Sequence, residues 1–141
     1  MSKGAFSGGC QRGAVRFRLD ASPRDFMHCR CCICRRGHGA LFATAGVYDK
    51  AAVTIEQGGD DLSRYESSPR NHRLFCSYCG GQVFLTIGTW ADRMSVVLGS
   101  LDPGQHPGHD PACERHIFWD EKVCWHDVGD TLPKQEGYGS T

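Results

Sequence analysis

Four cysteines within six residues, Cys29-Arg30-Cys31-Cys32-Ile33-Cys34, constrain this chain more than any other feature. Packing does not require so many thiols in so short a segment, whereas thiolates two and three residues apart can converge on one metal ion at about 2.3 Å each. Cys29, Cys31 and Cys34 supply three sulfurs, one fewer than a closed tetrahedral zinc site needs. We therefore predict zinc at this segment with an open fourth position, which is typical of a reactive site.

A second pair of cysteines, Cys76 and Cys79, is followed by Gly80-Gly81 and has the form of a zinc knuckle at the tip of a hairpin. Tight turns of this kind direct backbone N–H groups at the sulfurs, and the glycines accept positive φ angles. The sequence therefore predicts a second metal-binding segment about forty residues after the first.

Composition limits the classes of protein that this chain can belong to. Its 141 residues, 40% of them hydrophobic, suit one domain with a modest core. Sixteen basic and sixteen acidic residues cancel, which argues against a nucleic-acid or membrane partner, and no segment approaches membrane-spanning length. We expect a cytoplasmic protein, in which nine cysteines serve as metal ligands or reactive thiols rather than as disulfides. Nothing in the composition indicates an oligomeric state.

Hydrophobic patterning predicts short strands. In residues 14–19, apolar Val15, Phe17 and Leu19 alternate with arginines, as in a half-buried strand. No amphipathic run is long enough to predict a helix, so we expect an all-β domain over residues 1–128 and a polar, loosely held tail over 129–141. The other strands are predicted at 40–47, 52–56, 62–66, 94–101 and 114–119, with a hairpin over 73–87.

Three cysteine motifs occur in a characteristic order, and two shorter motifs follow them. They are Gly9-Cys10-x-x-Gly13-Ala14-Val15, Cys29-x-Cys31-x-x-Cys34-Arg35, Phe75-Cys76-x-x-Cys79-Gly80, Gly99-Ser100-Leu101-Asp102 and His116-Ile117. Over about residues 5–127 the chain resembles the family of glutathione-dependent formaldehyde-activating enzymes and centromere protein V. The resemblance implies a small β-tent fold, with sheets built around two zinc sites. It also implies carbon–sulfur lyase chemistry on a glutathione–aldehyde adduct, with glutathione or a glutathione conjugate as the partner.

The resemblance assigns zinc ligands at six positions. It matches Cys29, Cys31 and Cys34 to a catalytic zinc, and Cys76 and Cys79 to half of a structural zinc. Cys10 matches one cysteine of the other half, but the chain has Arg12 at the remaining position, and arginine has no lone pair to give. The second site therefore keeps only three ligands, is lost, or takes a fourth ligand from elsewhere, such as a histidine or Cys32, Cys113 or Cys124. Alternatively, its three cysteines are buried thiols without a metal.

The reactive site also needs groups that handle protons and substrate charge. Zinc with three thiolates would accept the glutathione sulfur as a fourth ligand, and an aldehyde held beside it could add to that thiolate or leave it. His28 and His38 flank the cysteines as candidates for proton transfer, although structural or solvated histidines are the alternative. Arg35 is a candidate for bidentate contact with a glutathione carboxylate, the alternative being a solvated basic rim.

Two classes of function remain open at this point. The first is a zinc-dependent carbon–sulfur lyase or adduct-forming enzyme that acts on conjugates such as S-hydroxymethylglutathione. The second is a non-catalytic zinc module that binds a protein partner, since a fold does not determine a function. An open coordination position favours the enzyme.

Overall fold

Ten short strands in two sheets form the fold of the computed structural model, which describes residues 6–138. A three-stranded antiparallel sheet has the order β1-β2-β5, and a seven-stranded sheet has the order β10-β3-β4-β9-β8-β7-β6. The predicted all-β class is thereby confirmed. The strands are β1 (Phe6–Gly9), β2 (Arg16–Leu19), β3 (Asp25–Cys29), β4 (Ala43–Asp49), β5 (Val53–Gln57), β6 (Leu62–Ser68), β7 (Asn71–Cys76), β8 (Gln82–Ile87), β9 (Arg93–Val97) and β10 (Glu114–Ile117).

The main core lies between the two sheets. Val15, Phe17 and Leu19 are fully buried, as the alternation in the sequence predicts, and Phe17 packs against Phe84 of the larger sheet with ring centroids 5.3 Å apart. Each large side chain buried in this way contributes roughly 1.5–3 kcal/mol. The smaller sheet therefore covers one face of the larger sheet and leaves part of the other face available for a site.

The larger sheet places the first cysteine between two neighbouring strands. Cys29 ends β3, where it pairs with Ala43 of the antiparallel β4 and with Ile117 of β10. The β10–β3 pairing is parallel and joins segments that are far apart in the chain. Because β3 is paired on both sides, the start of the cysteine segment is held by the sheet.

One helix, α1 (Cys32–His38), contradicts the expectation that the chain has none. Cys31 is its N-cap, with its sulfur accepting a hydrogen bond from the Cys34 N–H, and Gly39 ends it in the left-handed conformation at φ 58°. Two turns are too short to show the apolar periodicity on which helix prediction depends. The cap residues were the available signal, since a glycine directly after a helix is a common stop.

Residues 129–138 of the tail are held to the domain, which differs from the loose segment expected from the polarity of the tail. The His116 N–H donates to the Pro133 carbonyl, and the Gln135 N–H donates back to the His116 carbonyl. These bonds attach the tail along the free edge of β10. A hydropathy pattern cannot reveal such an attachment, because it consists of backbone hydrogen bonds. The boundary at residues 128/129 stays a prediction. No helix in residues 6–138 has the length and apolarity needed to cross a membrane.

Candidate metal centres and active site

The first candidate metal centre, here called the loop cluster, consists of Cys29, Cys31 and Cys34. They come from the end of β3, the N-cap of α1 and its first turn, and their sulfurs all lie within 4.8 Å of one another. Thiolates around a tetrahedral zinc ion, each at about 2.3 Å, would be roughly 3.8 Å apart. The donor set and its spacing therefore fit zinc or a similar thiophilic cation.

A buried arginine lies beside the loop cluster. Arg73 of β7 is only 6% exposed, and its Nη2 donates to the Cys34 sulfur at 3.4 Å. Hydrogen bonds from the Cys29 and Cys31 thiols, together with the Arg73 guanidinium, lower the pKa of Cys34. The pKa of Cys29 is instead raised, mainly by its hydrogen bond to Cys31. A cationic group therefore favours the thiolate form of Cys34, which is the form that binds a metal ion.

Sequence reasoning did not identify Arg73. It is 39 residues from Cys34 in the chain, so no local spacing connects the two. The available signal was a charged residue directly before the apolar Leu74 and Phe75 in a predicted hairpin. A buried arginine requires partners, and those of Arg73 are the Cys34 sulfur, Ser67 and His38.

A cavity of about 290 Å³ opens directly onto the loop cluster. It lies on the face of the larger sheet away from the main core, where Met27 is paired with Ala45 and Leu85 with Arg73. Its lining is mostly apolar. Besides the three cysteines and the residues just named, the cavity is lined by Ile33, Ala43, Ser67, Ser68, Asn71, Thr86, Ile87, Ser95, Ile117, Phe118, Glu121 and Tyr138.

The three other predicted site residues do not line this cavity. His28 points to the opposite face of β3, where its ring nitrogens contact Thr44 at 2.8 Å and Glu114 at 2.7 Å. Arg35 of α1 donates from Nε to the Arg30 carbonyl at 3.3 Å. His38 is closer to the cluster, with Nε2 at 3.4 Å from Nη1 of Arg73, and burial lowers its pKa.

Arg30, which lies between Cys29 and Cys31 in the sequence, is buried. Its guanidinium stacks on Phe42 at 4.4 Å and Trp119 at 5.0 Å, and its Nε donates to Nδ1 of His116 at 3.3 Å. His116 in turn contacts Asp130 of the tail at 2.9 Å. Arg30 therefore anchors the cysteine segment to β10 and to the tail.

The second candidate metal centre, the knuckle cluster, consists of Cys10, Cys76 and Cys79, whose sulfurs also lie within 4.8 Å of one another. The N–H groups of Val15 and Tyr78 donate to Cys10 and Cys76 at 3.3 and 3.4 Å. Backbone N–H groups of Arg12 and Gly81 lower the pKa of Cys79 to about 7. Such N–H···S bonds are what a metal-binding turn supplies, so this cluster also fits a metal ion.

Neither cluster has a fourth ligand in the part of the chain that the structure describes. No further Cys, His, Asp or Glu joins either group at that spacing, and Cys32, Cys113 and Cys124 lie outside both. At the knuckle cluster, the Arg12 side chain instead stacks on Tyr78 at 5.0 Å. An open, largely polar cleft of about 730 Å³ borders Cys10 and Cys79.

The fold and the site define a class: a small all-β protein with two three-cysteine clusters, each able to hold a metal ion. Comparison with known proteins gives a family. A sequence model described as "Glutathione-dependent formaldehyde-activating enzyme" matches residues 5–121, so the chain belongs to that family.

Individual relatives agree with this family assignment. A protein of Halomonas elongata, provisionally named a glutathione-dependent formaldehyde-activating enzyme, is 28% identical over 128 residues, covering 86% of this chain and 79% of the relative. A protein of Pyrenophora teres f. teres with the same provisional name is 38% identical over 75 residues, covering 53% of this chain and 40% of that relative. A crystal structure of a Rhodobacter sphaeroides protein has a TM-score of 0.58 at 23% identity, covering 72% of this chain and 91% of that one. That structure supports the fold alone.

Proposed function

We propose that this protein is a zinc-dependent carbon–sulfur lyase, or the corresponding adduct-forming enzyme, acting on glutathione–aldehyde conjugates. One observation carries the proposal: three convergent sulfurs beside Arg73 open directly onto a cavity large enough for a ligand. The family supports glutathione–aldehyde chemistry as the general activity. We further propose one zinc at the loop cluster, a second at the knuckle cluster, and a reducing compartment such as the cytoplasm, which would keep the thiols free.

The loop cluster would supply a Lewis acid that favours the thiolate form of the substrate sulfur. The chain prepares this position in three ways. The end of β3 and the cap of α1 fix the sulfurs before the substrate binds. Arg73 would offset the excess negative charge that three thiolates leave around a bound divalent cation. Burial of Cys29 and Cys34, which are 8% and 7% exposed, limits access of water from behind.

Several neutral polar groups line the cavity and are available to bind the hydroxyl of an adduct. Among them Ser67 is already oriented by the hydrogen bond that its Oγ accepts from Nε of Arg73 at 3.1 Å. Nε2 of His38 lies 3.4 Å from Nη1 of the same guanidinium. Proton transfer through His38 or His28, and binding of a glutathione carboxylate by Arg35, stay predictions. Since His28 and Arg35 do not line the cavity, they would act only on groups outside it.

Five cysteine-to-serine variants test this assignment. We expect the changes at Cys29, Cys31 and Cys34 to abolish turnover of a glutathione–aldehyde adduct in a protein that stays folded, because an open three-ligand site adds less to folding than a closed one. We expect changes at Cys76 and Cys79 to lower the melting temperature first, because Cys76 is fully buried in the main core. Circular dichroism melts and adduct turnover are measured on the same samples.

The control is Cys124→Ser, an exposed cysteine outside both clusters, which should change neither property. If the loop-cluster variants melt early while the knuckle-cluster variants stay stable and inactive, the two roles are reversed. If all variants retain full activity on every adduct, the chemistry lies elsewhere. If the wild-type protein turns over no adduct, the alternative of a non-catalytic module that binds a protein partner replaces the enzyme.

A further inference from the structure

The cavity at the loop cluster is far larger than formaldehyde needs. Its volume is about 290 Å³. The hydroxymethyl group that formaldehyde contributes to an adduct has two heavy atoms and takes about 60 Å³, at roughly 30 Å³ for each water-sized group. Protein interiors rarely keep unfilled space of this size without a use. The cavity therefore has room for a larger group attached to the same carbon.

The shape of the cavity comes from small residues in its floor and large apolar residues in its walls. Ala43 and Ala45 of β4 face the cavity, and because they end at the β-carbon they leave the space above the sheet open. The apolar walls come from α1, β8, β10 and the turn after β10. They are formed by Ile33, Leu85, Ile87, Ile117 and Phe118. A lining of this kind favours an aliphatic or aromatic group by the area that it removes from water.

The charges around the cavity argue against placing the glutathione peptide inside it. Among the residues that line the cavity, Arg73 is the only lysine or arginine, and its nitrogens already contact Ser67, His38 and Cys34. Glu121 also lines the cavity, and its carboxylate accepts a hydrogen bond from the Cys32 N–H at 2.9 Å. Glutathione carries two carboxylates, and burying them beside another carboxylate without a free cation is costly. The peptide part therefore belongs outside.

We propose, on the basis of the lyase function proposed above, that the site takes thiol adducts of apolar aldehydes larger than formaldehyde. The aldehyde-derived group occupies the cavity, and the charged thiol carrier extends into solvent past α1. In the cleavage direction the carbon–sulfur bond breaks with its electron pair going to sulfur. The adduct hydroxyl loses its proton as the carbonyl forms, and the thiol takes up one proton. Atoms and charge balance without an oxidant or reductant.

Binding of unreactive thioethers tests the proposal independently of turnover. S-methyl-, S-butyl- and S-hexylglutathione are titrated calorimetrically into the zinc-loaded protein. Affinity is expected to rise by about fourfold for each added methylene, as it does when a methylene leaves water for an apolar site. S-alkyl derivatives of 2-mercaptoethanol form a parallel series without the peptide.

Two variants locate the alkyl group. Ala45→Val places extra carbons in the cavity floor and should lower the ratio of S-hexyl to S-methyl affinity by at least about tenfold. Ile55→Val, on the exposed strand β5 outside the cavity, should leave that ratio unchanged. If Ala45→Val does not fold, Leu85→Ala, which enlarges the cavity, should shift the preference toward longer chains.

The outcomes separate this proposal from the one on which it rests. Affinity that does not depend on chain length in either series overturns the apolar substrate class, while the cysteine variants still decide whether the protein is a lyase. A rise with chain length in the mercaptoethanol series alone supports the apolar class and removes glutathione as the thiol carrier. A chain-length effect that no cavity variant alters places the alkyl group elsewhere and overturns the proposal.

Discussion

Replacing Arg73 with methionine should weaken zinc binding at the loop cluster. The variant keeps most of the apolar stem but removes the charge whose nearest atom lies 3.4 Å from the Cys34 sulfur. Two unit charges at that distance interact by about 5 kcal/mol at an effective dielectric constant of 20. Three thiolates around a divalent cation carry about one negative charge, shared over three sulfurs. We therefore expect a loss of about 2 kcal/mol, or roughly thirtyfold in Kd.

Zinc competition with a chromophoric chelator measures this loss. Arg64→Met is the control, because Arg64 is an exposed residue of the adjacent strand β6, and within residues 6–138 its guanidinium is hydrogen-bonded only to His72. A double-mutant cycle with Cys31→Ser assigns the effect to a site, since the Arg73 contribution should largely vanish once the loop cluster is broken. An Arg73→Met protein that binds zinc as tightly as the wild type refutes the electrostatic argument.

Two further predictions concern other parts of the molecule. Arg12→Cys should raise zinc retention at the knuckle cluster by at least about tenfold, since it adds the missing thiolate. Competition with a chelator measures the retention. Retention equal to that of Arg12→Ala would contradict the prediction. Asp102→Asn should lower the free energy of unfolding by about 1 kcal/mol at neutral pH, because hydrogen bonds from Arg16 and Ser7 lower the pKa of this partly exposed carboxyl to about 2. Denaturant titration measures this loss of stability, with Asp20→Asn as the comparison, and the loss should disappear as the pH falls from about 4 toward 2. If Asp102→Asn is as stable as the wild type at neutral pH, the prediction is wrong.

The strands were predictable because their patterns are local. Val15, Phe17 and Leu19 alternate with arginines, and the structure buries all three. The predicted hairpin over 73–87 corresponds to β7 and β8, joined by the Cys76–Cys79 turn. By contrast, β3 (Asp25–Cys29) was missed as a strand, because its burial alternates poorly and one of its two neighbours, β10, comes from a distant segment. Residues buried on both faces of a sheet lose the period of two on which the prediction depends.

The two cysteine clusters were predictable for a related reason. Cys29, Cys31 and Cys34 are so close in the chain that any compact turn brings their sulfurs together, and α1 does so with its own cap. The knuckle pair Cys76 and Cys79 follows the same logic. Cys10 comes from a distant segment, and its place in the cluster depended on family resemblance rather than on spacing.

The surroundings of the cysteine clusters depended on tertiary structure. Arg73, the cavity walls and the tail bonds to His116 bring together residues that are tens of positions apart. His28 is next to Cys29 in sequence, but its side chain lies on the face of β3 opposite the cavity, because successive side chains of a strand point to opposite faces. The sequence by itself determined which sulfurs of the loop cluster come together and where most strands lie, since short-range cysteine spacing encodes the first and apolar alternation the second. The charge beside the loop cluster and the shape of its cavity were decided only by strand pairing, which no local pattern records.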